Sequence, residues 1–280
     1  MPSERLTEFS NGDLVFDVLD SGPIDGTPVV LLHGFPQRAS SWHDVSAHLH
    51  SKGARTFAPD QRGCSPRARP RSRFAYRAPQ LVGDINALVT AIGQPVHLVG
   101  HDWGSVVSWA VAAKHPESIA SLTAVSIPHP MAYTRSLARS NQLLKSYYIL
   151  LFQLPWLPER WLSSRIVDRF LRGSGMTPQM IESYHNDYVK HGALRGCISY
   201  YRSIPATNPR DMPDKVRVPT AFVWSDGDQF INRTAAVGSA RYVDADYVFE
   251  QMPGMSHWIP EQRPAELAEI IARRAGLEAA

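Results

Sequence analysis

Hydrophobic and polar positions along the chain follow two periods, and the change between them divides it. Residues 13–20 (DLVFDVLD) alternate apolar and polar, as in a strand with one buried face. Residues 29–32 (VVLL) are apolar throughout and run into His33-Gly34-Phe35-Pro36. Such a run predicts a strand covered on both faces that feeds a loop. Further strands are predicted at 54–58 (ARTFA), stopped by Pro59, at 95–99 and at 119–127. Leu81, Ile85, Leu88, Val89 and Ile92 recur at helical spacing, and Gly104 to His115 reads as a helix ended by Pro116. Alternating strands and helices imply a parallel sheet covered on both faces.

From about Pro128 to Pro213 the pattern is helical only. Leu144, Tyr148, Leu151 and Phe152 share one face of a predicted helix stopped by Pro155. Thr177-Pro178 combines an N-cap with proline at the first helical position. Leu194, Ile198 and Tyr201 share a face of another helix, stopped by Pro205. Strands resume at 220–224 and 247–251, and the chain closes with an amphipathic helix through Leu267, Ile270 and Ile271. The expected organisation is an α/β core built from residues 1–129 and 213–280, interrupted by a helical lid over 130–212.

Composition changes this picture little. With 280 residues the chain suits one large catalytic domain or a core with an inserted lobe. Lysine and arginine total 29 against 26 acidic residues, so the net charge of +3 selects no class of partner. Arg62, Arg67, Arg69, Arg71, Arg73 and Arg77 crowd a segment with Pro66 and Pro70. No nucleic-acid-binding motif accompanies them, so they read as a solvated surface loop and no nucleic-acid partner is expected. Cys64 and Cys197 form no disulfide framework and lack metal-ligand spacing. They are expected to be buried thiols of a reducing compartment. The N-terminus lacks a signal-peptide pattern and no apolar stretch is long enough to span a bilayer, so a cytoplasmic location is expected.

The sharpest chemical signal is Gly100-His101-Asp102-Trp103-Gly104, which follows the strand Val96–Val99 and opens a helix. It is a G-x-nucleophile-x-G elbow with aspartate at the centre. The turn lifts the central side chain above the sheet edge, at a helix N-terminus whose dipole favours a carboxylate. An aspartate N-cap on an ordinary helix would also fit Asp102, but it would not predict partners in the right order. On such an elbow an acid and then a histidine follow. His257 lies after the last strand and before the last helix, and Asp226 and Asp228 lie just past the strand Ala221–Trp224. The segment Ser126–Pro130 contains no carboxylate, which excludes an acid after the preceding strand. A carboxylate attacks esters poorly, because a mixed anhydride is unstable. It suits displacement at saturated carbon, which points to epoxides or alkyl halides.

HGFP at His33, DQRG at Asp60 to Gly63, GHDWG and the late histidine together resemble the epoxide hydrolases of the α/β-hydrolase fold, over essentially the whole chain. The resemblance implies a mostly parallel sheet flanked by helices with an inserted helical lid. It implies Asp102 as nucleophile, His257 as base and Asp228, rather than Asp226, as its orienter. Phe35 and Trp103 would supply the oxyanion-hole N–H groups. His33 and His101 would be structural, satisfied within their loops. Tyr148 and Tyr201, in segments resembling the family's two lid-tyrosine regions, would activate the epoxide as phenols still protonated at neutral pH. Tyr148, Tyr201, Trp103 and Phe35 would contact a small apolar epoxide, with no metal or organic cofactor. Trp156, Trp161 and Tyr188 suggest an apolar pocket, although core packing explains them equally well. A homodimer is compatible with the chain but not required by it.

Two other readings stay open. A haloalkane dehalogenase would use the same Asp-His-Asp set and the Trp103 indole, but phenylalanine at 35 offers no second halide donor. Fluoroacetate dehalogenases resemble this chain at HGFP, yet carry arginine where Trp103 stands. A non-hydrolytic ligand-binding relative is opposed by the complete catalytic set. Cys64-Ser65-Pro66-Arg67 after DQRG departs from the family's usual small residues leading to serine or threonine. That weakens any subfamily assignment.

Overall fold

A computed structural model describes residues 2–277. Eight strands make one sheet: β1 (Glu8–Asn11), β2 (Leu14–Ser21), β3 (Thr27–Leu32), β4 (Ala54–Pro59), β5 (Val96–His101), β6 (Ile119–Val125), β7 (Thr220–Trp224) and β8 (Tyr247–Gln251). Their spatial order is β1-β2-β4-β3-β5-β6-β7-β8. β1 and β2 pair antiparallel with their neighbours, and the remaining pairs are parallel.

The unbroken apolar runs follow from burial on both faces. In β3, Val30 and Leu32 join one core cluster while Val29 and Leu31 join the other. Phe222 and Trp224 of β7 alternate with Ala221 and Val223 in the same way. Helices α1 (His43–His50), α2 (Ala78–Ile92) and α3 (Trp103–Lys114) cover the sheet, and α1 together with β1 had no period strong enough to predict. Helix α2 ends on Gly93 in the left-handed region, whose N–H bonds the Val89 carbonyl.

Seven short helices lie between β6 and β7: α4 (Pro130–Leu137), α5 (Gln142–Lys145), α6 (Tyr147–Leu151), α7 (Leu157–Ser163), α8 (Asp168–Gly173), α9 (Pro178–Ser183) and α10 (Leu194–Ser203). They enclose a third apolar cluster with Phe152, Tyr188, Ile198 and Tyr201. Thr177 caps α9 as expected, accepting the Met180 N–H. The expected continuous helix through Leu144, Tyr148 and Leu151 is broken between α5 and α6. At the break, Ser146 Oγ turns back to the Gln142 carbonyl at 2.8 Å and meets the Tyr133 hydroxyl at 2.7 Å. Leu144 and Leu151 are exposed. After β7 come α11 (Arg233–Gly238), α12 (Ile259–Gln262) and α13 (Pro264–Ala275).

The arginine-rich segment also departs from the expected solvated loop. Arg62 is buried and pairs with buried Asp84 through two bonds of 2.6 and 2.7 Å. Arg69 reaches the carbonyls of His191 and Cys64, while Arg67, Arg71 and Arg73 are exposed. Cys64 and Cys197 are buried free thiols, with sulfurs 2.7 Å apart between the segment after β4 and α10. Among the described residues, no helix is long and apolar enough to cross a membrane, and no group of three or more His, Cys, Asp or Glu could hold a metal ion.

Candidate active site

The parallel strands deliver the predicted residues to one edge of the sheet, beyond their carboxyl ends. Phe35 follows β3, Asp102 follows β5, Asp228 follows β7 and His257 follows β8. At the elbow Asp102 adopts φ +51°, a strained conformation for a residue with a side chain. The flanking glycines are sterically required. A Cβ on Gly104 would lie 2.1 Å from the Leu32 carbonyl oxygen, and one on Gly100 would lie 2.3 Å from the Gly104 oxygen. Asp102 stands at the N-cap of α3, yet its side chain makes no capping bond there. It turns instead toward the other site residues.

Asp102 Oδ1 accepts the Phe35 N–H at 2.7 Å, and Oδ2 lies 3.4 Å from His257 Nε2. The Trp103 N–H is the first of α3 and has no intrahelical partner. Asp228 Oδ2 lies 2.7 Å from His257 Nδ1, while its Oδ1 accepts the N–H groups of Phe230 and Ile231. Asp226 is exposed and bonds Gly254 and Gln251, away from the histidine. The geometry thus separates two acids that spacing alone left close.

Charge in the site is concentrated by burial. Asp102, Asp228 and His257 are all buried. Desolvation alone would lower the His257 pKa, but the Asp228 and Asp102 carboxylates outweigh it and raise it to about 10. Burial opposes ionisation of Asp102, yet His257 and the Phe35 N–H keep its pKa below the usual carboxylate value. His257 therefore rests as an imidazolium between two carboxylates at neutral pH.

Above these groups is a cavity of about 170 Å³ lined by Asp102, His257, Phe35, Tyr148 and Tyr201. Phe152, Trp161, Phe170, Phe230 and Trp258 complete its aromatic wall. The exposed residues Tyr147, Leu151, Leu154 and Leu157 also line it and so mark its mouth. The Tyr148 and Tyr201 rings are 5.9 Å apart. Burial drives both phenol pKa values well above 10, so both stay protonated. Tyr200, by contrast, packs against Tyr76 and Trp103. The Trp103 side chain, expected to contact substrate, rests against Tyr200 and Tyr201 and is not among the residues lining the cavity. Of the other predicted pocket aromatics, Trp156 is exposed, and Tyr188 is buried against Phe35 without lining the cavity.

Several site residues were missed by sequence reasoning. Phe230 lies two residues past Asp228; its N–H holds that acid and its ring sits 5.0 Å from the His257 ring, edge to face. Gln142 bonds the Phe230 carbonyl and the Asn232 N–H, and Lys145 bonds the Asp228 carbonyl at 2.9 Å. These bonds tie α5 to the acid's loop. His33 is only partly satisfied within its loop: Nδ1 contacts the Gly34 carbonyl, but Nε2 accepts the Gln61 N–H from the segment after β4. His101 is not satisfied within its own loop; it reaches Gln37 and the His257 carbonyl.

The family model described as alpha/beta hydrolase fold matches residues 27–264. The chain is 32% identical to the AB hydrolase superfamily protein YfhM of Bacillus subtilis, covering 94% of each chain. It is 31% identical to Epoxide hydrolase 3 of Xenopus tropicalis over 91% of this chain and 73% of that one. Epoxide Hydrolase A from Mycobacterium thermoresistibile superposes with a TM-score of 0.83 at 22% identity, with 98% of each chain covered. The chain has the α/β-hydrolase fold and, by sequence, belongs to its epoxide hydrolase family.

Proposed function

We propose that the protein hydrolyses a small apolar epoxide to a vicinal diol through an ester formed on Asp102. One observation carries the reading: two protonated phenols, Tyr148 and Tyr201, line the same apolar cavity as a buried aspartate nucleophile. The region over 130–212 serves as the lid that brings them there. Relatives named epoxide hydrolases support the choice of electrophile.

Asp102 Oδ2 attacks an epoxide carbon, and the C–O bond of the ring breaks. A tyrosine hydroxyl donates its proton to the departing alkoxide and is restored by the proton that His257 holds at rest. The products are an ester with a free hydroxyl and a neutral His257, now oriented by Asp228 alone. His257 Nε2 next takes a proton from water, whose oxygen attacks the carbonyl carbon of Asp102. The oxyanion forms on Oδ1, the atom already held by Phe35, with the Trp103 N–H as second donor. Collapse expels the diol oxygen, which takes the remaining water proton. Carboxylate and imidazolium are regenerated, so protons and charge balance.

Displacement of halide is the second reading, and Phe35 and Trp103 both disfavour it: one has no side-chain N–H and the other does not line the cavity. A single turnover in heavy-oxygen water tests the mechanism. The first diol should carry enzyme oxygen while the label enters Asp102, and diol from later turnovers should carry the label. Diol labelled from water on the first turnover would overturn the ester. Matched epoxides and alkyl bromides should give diol and little bromide; bromide release without diol would make the protein a dehalogenase.

A further inference from the structure

A chain of buried polar contacts leads away from the cavity, behind His257. Glu261, on α12, contacts Gln37 Nε2 through Oε1. Gln37 Oε1 lies 3.1 Å from His101 Nδ1, and His101 Nε2 lies 2.9 Å from the His257 carbonyl oxygen. Ser126 Oγ donates to the same carbonyl at 2.8 Å. Glu261 as a whole is half-buried, but its Oε2 is enclosed and has no hydrogen-bond partner among the described residues. A carboxylate would leave that oxygen charged and unpaired.

Donor and acceptor roles along this chain are forced from one end. The His257 carbonyl can only accept, so His101 carries its proton on Nε2. Burial, helped by the nearby His257, lowers the His101 pKa to about 4, so the ring is neutral and Nδ1 is a bare acceptor. The group of Gln37 facing Nδ1 must therefore be the NH₂. Amide orientation is set by such networks, and this one turns the Gln37 oxygen toward Glu261. Two acceptors cannot face each other, so Glu261 must donate.

We propose that Glu261 is a positioning residue which, as a neutral carboxylic acid, orients Gln37 and His101 and thereby clamps the backbone of His257. Ionised Glu261 would demand the opposite amide orientation. The proton of His101 would be drawn to Nδ1, and the Nε2 lone pair would confront the His257 carbonyl, leaving Ser126 as its donor. The surroundings favour the acid. Desolvation raises the Glu261 pKa to about 8, with Asp44 of α1 adding to the rise and His257 opposing it. Arg38, His43 and Arg263 border the same groove, and Arg38 is paired with Asp60. Asp102 and Asp228 act on His101 from the cavity side.

The inference rests on His257 being the base, so one readout is independent of activity. In protein labelled with carbon-13 at glutamate carboxyls, the Glu261 signal is assigned by its loss in Glu261→Gln. It should report the acid at pH 7 and titrate near pH 8; a carboxylate at pH 7 overturns the proposal whatever the enzyme does. The second readout is pre-steady-state turnover of an aryl epoxide. Glu261→Leu, with no donor, should slow ester hydrolysis roughly tenfold, the loss of one buried hydrogen bond, and the alkyl-enzyme should accumulate. Glu261→Gln, whose NH₂ donates as the acid does, should restore hydrolysis and remove its alkaline decline. Equal slowing of both steps, or no rescue by glutamine, overturns the role. If the wild-type protein opens no epoxide, the functional reading fails while the carbon-13 titration still decides Glu261.

Discussion

Converting Asp102 to Asn should release His257 as a base. The imidazole Nε2 lies 3.4 Å from Asp102 Oδ2 and the ring is almost wholly enclosed. At an effective dielectric constant of about 20, two unit charges at this separation attract by about 5 kcal/mol. That corresponds to roughly three and a half pKa units. Removing the charge should bring His257 from about 10 down into the neutral range, where Asp228 still orients it. The change has mechanistic content, because alkylation of Asp102 removes the same charge. The resting enzyme would hold a proton that it gives up only as the ester forms, and His257 would become basic only when there is an ester to hydrolyse. Histidine ring NMR in the wild type and in Asp102→Asn would measure both values, with His257→Gln assigning the signal. A variant histidine still titrating near 10 would refute the argument. So would a wild-type His257 that is neutral at pH 7.

His257→Gln should leave ester formation intact and trap the adduct, seen as a mass increase equal to one epoxide on the peptide bearing Asp102. Tyr148→Phe and Tyr201→Phe should each cut ring opening by roughly tenfold to a hundredfold, and the double variant by more; single-turnover rates unchanged in the double variant would remove the phenols from the mechanism. Since the folded pKa of His257 lies above its unfolded value, the folded state binds the extra proton between them. Its stabilising contribution is full below about pH 6.5 and is lost as pH rises toward 10; urea midpoints should fall across that window, and fall less in Asp102→Asn. Asp20→Ala should destabilise by roughly 3–5 kcal/mol, because it strips the carboxylate from fully buried Arg55; a denaturation midpoint within error of wild type would contradict this.

How far the sequence could be read depended on whether a residue's role was local. The β3 run VVLL and the β5 run VHLV announce strands because both of their faces are buried, and periodicity reports burial directly. The elbow was legible for the same reason: two glycines, a strand and a helix constrain five consecutive positions. Helix α1 was not legible, since HDVSAHLH places few apolar residues on its face. The helical period runs straight across the break at Ser146, whose hydroxyl meets Tyr133 from another helix, thirteen residues away. Arg62 looked like one more basic residue of a polar loop until the fold placed Asp84 beside it. Gln37 and Glu261 are 224 positions apart and touch because α12 returns over the loop after β3. No spacing rule connects them.

The same division explains why the nucleophile and the substrate class rest on different grounds. Asp102, Asp228 and His257 are held by main-chain geometry at strand ends: φ +51° at the elbow, the Phe230 and Ile231 N–H groups on Asp228, and two donors on the His257 carbonyl. A change of substrate need not disturb any of these. Tyr148 and Tyr201 instead stand on short helices, and α6 is anchored to the core partly through Ser146, Gln142 and Lys145 next to it. Altering those anchors would shift a phenol relative to a fixed carboxylate. Lys145→Met tests this: it removes the bond to the Asp228 carbonyl without touching the cavity. Ring opening, which needs the phenols in place, should slow more than ester hydrolysis, which needs His257 and water. If hydrolysis suffers instead, Lys145 serves the acid's loop and not the lid, and the tyrosines are held by aromatic packing: Tyr148 against Phe152 and Phe230, Tyr201 against Phe35, Trp103 and Phe152.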